Sequence, residues 1–459
     1  MTGLNNIKGV YLIGIGGIGM SALARYFSEQ GKMVCGYDRV ASELTRKMEQ
    51  NGIAIHYQDD INCIPEFFRV QQNREESLVI YTPAVPAEHN ELNFFKKEDY
   101  RIMKRSEVLG DLSRKYKTIA VAGTHGKTTT GSILAHLLRS SSVDCTAFLG
   151  GISSNYNTNL LTSSSSNLMV VEADEFDRSF LTLSPELAII TSVDADHLDV
   201  YGNADEMLHS FHDFTSRIKE NGTLIYRSDL PFENTSRRNF TYSLKDRCDY
   251  YSTDLTVDAG QYLFNLISPS GKLTDLRFGM PGMHNMENAV AAFAAADQLG
   301  LSEEEIRNGL ATYQGVKRRF EVHILSDDLV YIDDYAHHPI EIAACVSSVK
   351  ELFPDRKIKG IFQPHLFSRT KDHMSGFAES LSQMDEVILL DIYPAREKPI
   401  EGITSSVLLE KIASKDKQML SKHEAVENIS TENTDVLLTL GAGDIDQLVG
   451  PIKTKLKCS

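Results

Sequence analysis

No two cysteines of this sequence lie close enough to clasp a metal or form a redox pair. The six, Cys35, Cys63, Cys145, Cys248, Cys345 and Cys458, include no CxxC and no Cys/His cluster at zinc spacing, so reduced and mostly buried thiols are expected. Long hydrophobic runs are missing as well. No stretch approaches the ~18 apolar residues that span a bilayer, and the first apolar segment, Val10 to Ile13, runs into glycines rather than a cleavage site. Membrane insertion is therefore not expected, and the cytoplasm is the expected compartment. Nor is there a surplus of positive charge: 63 acidic side chains stand against 47 basic ones, a formal charge of −16. Nucleic acid is thus an unlikely partner on electrostatic grounds, and an anionic ligand must be held by local donors.

What is present is a globular α/β pattern. The 459 residues suggest about three domains at roughly 150 residues each, and 42% hydrophobic with 24% charged residues is ordinary for a soluble chain. Strands and helices alternate from the start: Gly9 to Gly14, a helix from about Met20 to Gln30, then strands Met33 to Tyr37 and Ser77 to Thr82. After the polar stretch Lys96 to Arg105 the pattern restarts with a helix near Glu107 to Lys115 and the strand Thr118 to Ala122. Further strands are expected at Leu168 to Glu172 and Leu187 to Ser192, and an Ala-rich helix at Glu287 to Leu299. Beyond Gly315 the alternation resumes through Phe320 to Leu325, Leu329 to Asp333, Ile358 to Phe362, Glu386 to Asp391 and Asp435 to Leu440. The expected domains are residues 1–106, 107–314 and 315–459.

Two glycine turns carry the first chemistry. Gly14-Ile15-Gly16-Gly17-Ile18-Gly19 follows a strand and opens a helix, the context in which backbone N–H groups face a diphosphate. Asp38, ending the next strand, could take a ribose hydroxyl. The second turn, Gly123-Thr124-His125-Gly126-Lys127-Thr128-Thr129-Thr130, is a shortened phosphate loop, with Val121 where the standard pattern has its first glycine. Small residues let its amides close on phosphate oxygens, Lys127 supplies a point charge and Thr128 a hydroxyl for Mg²⁺.

Phosphate-bound Mg²⁺ needs one or two hard oxygen ligands at a strand end. Glu172 meets that need within Glu172-Ala-Asp174-Glu175-Phe-Asp177, and His197, in Asp194-Ala-Asp196-His197, is the candidate for a second metal. Farther on, Lys317-Arg318-Arg319, Asp333-Asp334-Tyr335-Ala336-His337-His338 and Gln363-Pro364-His365-Leu366-Phe367-Ser368-Arg369-Thr370 gather cations and hydrogen-bonding side chains suited to a carboxylate or phosphate.

Taken in order, these motifs resemble the Mur ligase family, which builds the peptide of bacterial cell-wall precursors, and the likeness spans nearly the whole chain. It also rests on Tyr81-Thr82-Pro83-Ala84, Gly282-Met283-His284-Asn285 and Arg318-Arg319-Phe320. Among members, the pattern is most similar to those that attach L-alanine to UDP-N-acetylmuramate. The resemblance implies three α/β domains: a Rossmann-like N-terminal domain for the UDP substrate, a central ATPase-type domain, and a Rossmann-like C-terminal domain for the amino acid. It implies that Gly14, Gly16, Gly17, Gly19, Met20, Ser21, Asp38 and Thr82 serve the UDP substrate. For ATP it implies Gly123, Thr124, His125, Gly126, Lys127, Thr128, Thr129 and Asp333, with His284, Asn285 and Asn288 on the adenine and ribose side and Arg319 at the γ-phosphate.

Mg²⁺ falls to Thr128, Glu172 and His197 on the same reading. Tyr335, His337, His365 and Arg369 match positions for L-alanine and the acceptor carboxylate, with Lys127, Arg319, His337 and Arg369 as the catalytic set and His337 as the acceptor of the amine proton. Two positions depart from the family pattern. Ser192 stands where members often have Asn, and Leu366 where some alanine-adding members have Arg. The rival readings are a family member that attaches a preformed peptide, an NAD-dependent oxidoreductase using only the first glycine turn, and a nucleotide-switch binding protein.

Overall fold

Parallel sheets buried on both faces need near-continuous apolar strands, and the chain supplies three sets of them. The computed structural model describes residues 4–194, 198–232, 238–258, 261–395 and 397–458. Its first sheet comprises β1 Gly9–Ile13, β2 Met33–Tyr37, β3 Ala54–His56, β4 Ser77–Tyr81 and β5 Ile102–Lys104, in the order β3-β2-β1-β4-β5. All its pairings are parallel. The order reverses at β1, so the Gly14–Gly19 turn and the helix Ile18–Glu29 leave from a switch point, where ligands of open α/β sheets collect.

The second sheet follows the same logic. Its strands include β6 Lys117–Ala122, β7 Thr146–Ser153, β8 Thr158–Leu161, β9 Leu168–Ala173, β10 Leu187–Ile190, β11 Thr223–Arg227 and β12 Arg238–Ser243, ordered β12-β11-β10-β6-β9-β7-β8. Here β6 is the switch strand, with β10 and β9 on either side, and the helix Lys127–Arg139 starts right after its loop. Three successive strands, β13 Tyr250–Asp258, β14 Gln261–Ser268 and β15 Gly271–Phe278, precede the helix Met283–Gln298.

The chain divides into two compact units. The first comprises residues 1–252, 266–272 and 290–309; the second, residues 253–265, 273–289 and 310–459. Within the first, one apolar core runs from Leu12, Leu23 and Phe27 through Met169 and Val171 to Phe211 and Phe214. Arg25 reaches Asn159 Oδ1 at 3.2 Å, and Asn159 Nδ2 donates to Ile18 O at 2.6 Å. The expected boundary at 106/107 falls inside the helix Arg105–Lys115. Residues on both sides of that boundary contribute to this core.

The second unit carries β16 Glu321–Leu325, β17 Val330–Asp334, β18 Ile358–Phe362, β19 Glu386–Leu389, β20 Asp416–Met419 and β21 Val436–Leu440, ordered β16-β17-β21-β18-β19-β20. Only the β16–β17 pair is antiparallel. Because β17, β21 and β18 run parallel, their carboxyl ends bring residues 335–338 and 363–369 to one edge. Cys35, Cys145 and Cys345 are buried free thiols, and Cys63 and Cys248 are half-buried ones. Among the described residues no helix is long and apolar enough to cross a membrane.

Candidate functional site

Loop 123–126 is shaped by what a side chain could not do there. Gly123 has φ +135°, and a Cβ on it would lie 2.1 Å from Thr191 Oγ1 and 2.8 Å from the Ser192 amide. Gly126 caps the helix Lys127–Arg139 at φ 80°. Both conformations favour glycine. Thr191 and Ser192, at the end of β10, hold the loop from beneath: Thr191 Oγ1 donates to Ala122 O at 3.1 Å, Ser192 Oγ lies 2.8 Å from Thr124 Oγ1, and the His125 amide donates to Ser192 Oγ at 2.8 Å.

Ser192, the departure from the family pattern, therefore braces the loop directly. Ser192→Ala removes both contacts at once. It is expected to cost about 1–2 kcal/mol of stability, measured by melting; an unchanged melting temperature would remove Ser192 from the loop's support.

The charged side chains of the loop are already engaged. Lys127 Nζ donates to Gly123 O at 2.6 Å and to Glu175 Oε1 and Oε2 at 2.9 and 2.7 Å. Burial alone would lower the Lys127 pKa, but Glu175, Asp174 and Glu172 together hold it above its usual range, so it is an ammonium at neutral pH. Burial pushes the Glu175 carboxyl up while Lys127 pulls it down. Thr128 Oγ1 lies 3.0 Å from each Glu172 oxygen. A hydroxyl and a carboxylate together are hard donors that suit Mg²⁺. Gly150 makes room for that carboxylate, since a Cβ there would sit 1.6 Å from Glu172 Oε2. His197 lies outside the described residues.

The first glycine turn sits in the same unit. Gly14 has φ +84°, and a Cβ on it would meet Thr82 Cγ2 at 2.8 Å. The Gly16 amide donates to Asp38 Oδ2 at 2.7 Å, so the free turn holds its own carboxylate. Gly17 N bonds back to Gly14 O at 3.3 Å, closing the turn. Met20 lies in the core, and Ser21 is buried, accepting from Asn159 Nδ2 at 3.0 Å; both support the turn from behind. Sequence reasoning missed Arg105. A Cβ on Gly19 would lie 2.6 Å from Arg105 Nη1, so that guanidinium covers the turn and adds a cation beside it. Its signal in the sequence is the basic pair Lys104-Arg105 closing a polar stretch.

In the second unit a separate cluster gathers at the ends of β17 and β18. The guanidinium carbons of Arg318 and Arg319 lie 5.3 and 5.0 Å from the Tyr335 ring centre, within cation–π range. His337 packs 5.2 Å from Tyr335 and 6.2 Å from His365 between ring centres, and His365 stacks on Tyr393 at 5.7 Å. Burial lowers the His337 pKa to about 4, against the opposing pull of Glu341. Its Nδ1 lies 3.0 Å from Tyr335 O, and a carbonyl only accepts, so the proton sits on Nδ1 and Nε2 is left as the acceptor.

Asp333 is fully buried and turned inward. Thr439 Oγ1 donates to its Oδ1 at 2.6 Å and Arg318 Nε to its Oδ2 at 3.1 Å, so it anchors Arg318. Glu321 and His323 stand beside it with donor atoms within 4.8 Å, but Glu321 Oε2 accepts from the Arg318 amide at 2.8 Å, so that group is a brace. Leu366, at φ 70°, and Arg318 and Phe320, at φ 63° and 50°, occupy the left-handed region beside this cluster. Such strain costs on the order of 1–3 kcal/mol each and gathers at functional sites.

His284, Asn285 and Asn288 occupy the first turns of the helix Met283–Gln298, entered through Gly282 at φ +99°. Asn285 Nδ2 donates to Pro281 O at 2.6 Å. Burial lowers the His284 pKa to about 4 although Glu341 opposes it. Arg369 lies half-buried in the short helix Phe367–Asp372, and its positive charge adds to the lowering of the His337 pKa.

Comparison with known proteins gives consistent matches along the chain. Residues 9–117 match the Mur ligase family catalytic domain, residues 121–296 the Mur ligase middle domain, and residues 318–443 the Mur ligase glutamate ligase domain. The UDP-N-acetylmuramate–L-alanine ligase of Porphyromonas gingivalis is 50% identical over 456 residues, covering 98% of this chain and 99% of its own. That of Flavobacterium johnsoniae is 49% identical over 453 residues, covering 99% of each. Among solved structures, the UDP-N-acetylmuramate–alanine ligase of Thermotoga maritima superposes with a TM-score of 0.80 at 28% identity, over 97% of this chain and 98% of its own. A murein peptide ligase of Psychrobacter arcticus shares the fold at 23% identity with a TM-score of 0.73, over 98% of each chain.

Proposed function

The chain belongs to the Mur ligase family, and from that premise we infer that it joins the amine of L-alanine to the carboxylate of UDP-N-acetylmuramate, converting ATP to ADP and phosphate. The observation that carries this reading is identity at half of all positions, over 98% of the chain, with a relative that bears that activity in its name. A rival that attaches preformed peptides has structural support at 23% identity, which extends to the fold alone. Use of ATP and a UDP-sugar points to the cytoplasm as the place of work.

A carboxylate is a poor electrophile for an amine until one of its oxygens becomes part of a leaving group. The muramoyl carboxylate oxygen attacks the γ-phosphorus and ADP departs, giving an acyl phosphate. The amine nitrogen of L-alanine then attacks the acyl carbon, a tetrahedral intermediate forms, and inorganic phosphate leaves with the former carboxylate oxygen.

In this reading the amides of residues 123–128 and the Lys127 ammonium hold the β- and γ-phosphates, and charge stabilisation with alignment does most of the work. Thr128 and Glu172 would hold Mg²⁺, which supplies Lewis-acid screening of phosphate charge when bound. Arg319 is assigned to the γ-phosphate, and Tyr335, His365 and Arg369 to the carboxylates of the acceptor pair. His337 Nε2, kept unprotonated by burial, is the acceptor for the proton released as the amide forms. The Gly14–Gly19 turn with Arg105 takes the diphosphate of the sugar nucleotide, which must displace Asp38 from the Gly16 amide.

Isotope transfer tests the first step. With ¹⁸O in the muramoyl carboxylate, one labelled oxygen is expected in each phosphate released, read by mass spectrometry. Unlabelled phosphate alongside labelled product would rule out the acyl phosphate.

A further inference from the structure

An ammonium has three N–H donors, and all of those of Lys127 are spent: one on Gly123 O at 2.6 Å and two on the oxygens of Glu175 at 2.9 and 2.7 Å. Phosphate oxygens can reach Lys127 only if it lets go of one of these partners. Gly123 O belongs to the loop itself, so Glu175 is the partner that can be exchanged for a nucleotide.

The surroundings hold Glu175 in place for this role. Its side chain is 1% exposed and that of Lys127 12% exposed. Its backbone is fixed from two sides: Tyr201 Oη donates to Glu175 O at 2.6 Å, and the Arg178 amide donates to the same oxygen at 2.9 Å. The turn that follows passes through Asp177 and Arg178 at φ 56° and 52°, left-handed conformations that persist only where the surrounding contacts impose them. Arg178 in turn lies 5.4 Å from the Tyr201 ring centre. Glu175 is thus held at its backbone from two sides beside the pair it makes with Lys127.

We propose that Glu175 is a positioning residue that parks the Lys127 ammonium while the loop is empty and yields it to the nucleotide phosphates, so that Glu175 sets nucleotide affinity through Lys127. This rests on the assignment of residues 123–128 to ATP. The parked pair competes with phosphate for the same cation. Weakening the pair therefore favours the nucleotide-bound state, at the expense of the empty one. Buried pairs lose most when one partner disappears outright, so the informative change is isosteric.

Glu175→Gln keeps the shape and one acceptor while removing the charge. In the full-length protein it is expected to tighten binding of both ATP and ADP about tenfold by calorimetry, to leave affinity for UDP-N-acetylmuramate unchanged, and to lower the melting temperature without nucleotide while enlarging the rise that ATP produces. An unchanged or weakened affinity for ATP in a folded variant overturns the proposal. Should Glu175→Gln not fold, Glu175→Asp, one methylene shorter, is expected to tighten ATP about threefold; equal or weaker binding again overturns it.

Lys127→Ala supplies the control. Adding Glu175→Gln to it is expected to leave the residual ATP affinity unchanged, and tightening in that background would show a general charge effect and defeat the assignment. If Lys127→Ala alone binds ATP as well as the wild type, the loop reading fails, whatever Glu175 does.

Discussion

Lys127→Ala is expected to lower substrate-dependent phosphate release by about 10³-fold or more. Lys127 is the cation that β6 and the helix Lys127–Arg139 place inside the loop, 2.6 Å from the loop's own carbonyl. Loss of the ammonium removes charge stabilisation at the phosphate being transferred, and neighbouring amides cannot replace a full charge. Glu175 is left buried without its cation, but burial already favours its protonated form. The loss of stability therefore stays near the ~3–5 kcal/mol typical of broken buried pairs, and the variant remains folded by circular dichroism. Full turnover in a folded variant would contradict the loop assignment.

Gly150→Ala should produce the second-largest loss, by a different route. The added Cβ would lie 1.6 Å from Glu172 Oε2 and 2.6 Å from its carboxyl carbon. No backbone stands in the way, and a carboxylate at the end of a flexible side chain can swing aside at little cost. The fold therefore survives, and the displaced group is the one that meets Thr128 Oγ1 at 3.0 Å. The expected outcome is a melting temperature close to wild type with turnover down about 10²-fold and a Mg²⁺ requirement shifted to higher concentration. Normal activity at normal Mg²⁺ would show that Glu172 does not hold the metal.

The strands that carry the site were readable because parallel strands buried on both faces show as short apolar runs. β1, β6, β9, β10, β17 and β18 all end next to the loops expected to bear chemistry. β5 lay hidden in the polar stretch Lys96 to Arg105 because it is an edge strand of three half-buried residues. The helix at Met283 was expected to begin at Glu287, one turn late. Its first turn holds His284 and Asn285, whose polar side chains break the apolar period although Asn285 is buried and His284 half-buried.

Within the site the limit was side-chain direction. Glu172, Asp174, Glu175 and Asp177 read alike as an acidic run, yet the backbone turn at Asp177 and Arg178 decides which one meets Lys127. Sequence periodicity carries no information about such a turn. Ser192 stood out only as a departure from the family pattern, and its contacts with Thr124 and His125 depend on β10 lying beside β6. Asp333 drew attention as an acid at a strand end, whereas its inward face on Thr439 required β21 to pair with β17. The core that joins Leu12 and Leu23 to Phe211 and Phe214 is assembled from residues more than a hundred positions apart, beyond the reach of local pattern.

The most direct measurement of the central claim is phosphate release from ATP by the purified full-length protein, with each substrate omitted in turn. Release is expected only when UDP-N-acetylmuramate and L-alanine are both present, in step with formation of the alanyl product. Steady release with either one left out, or none with both supplied, would contradict the account.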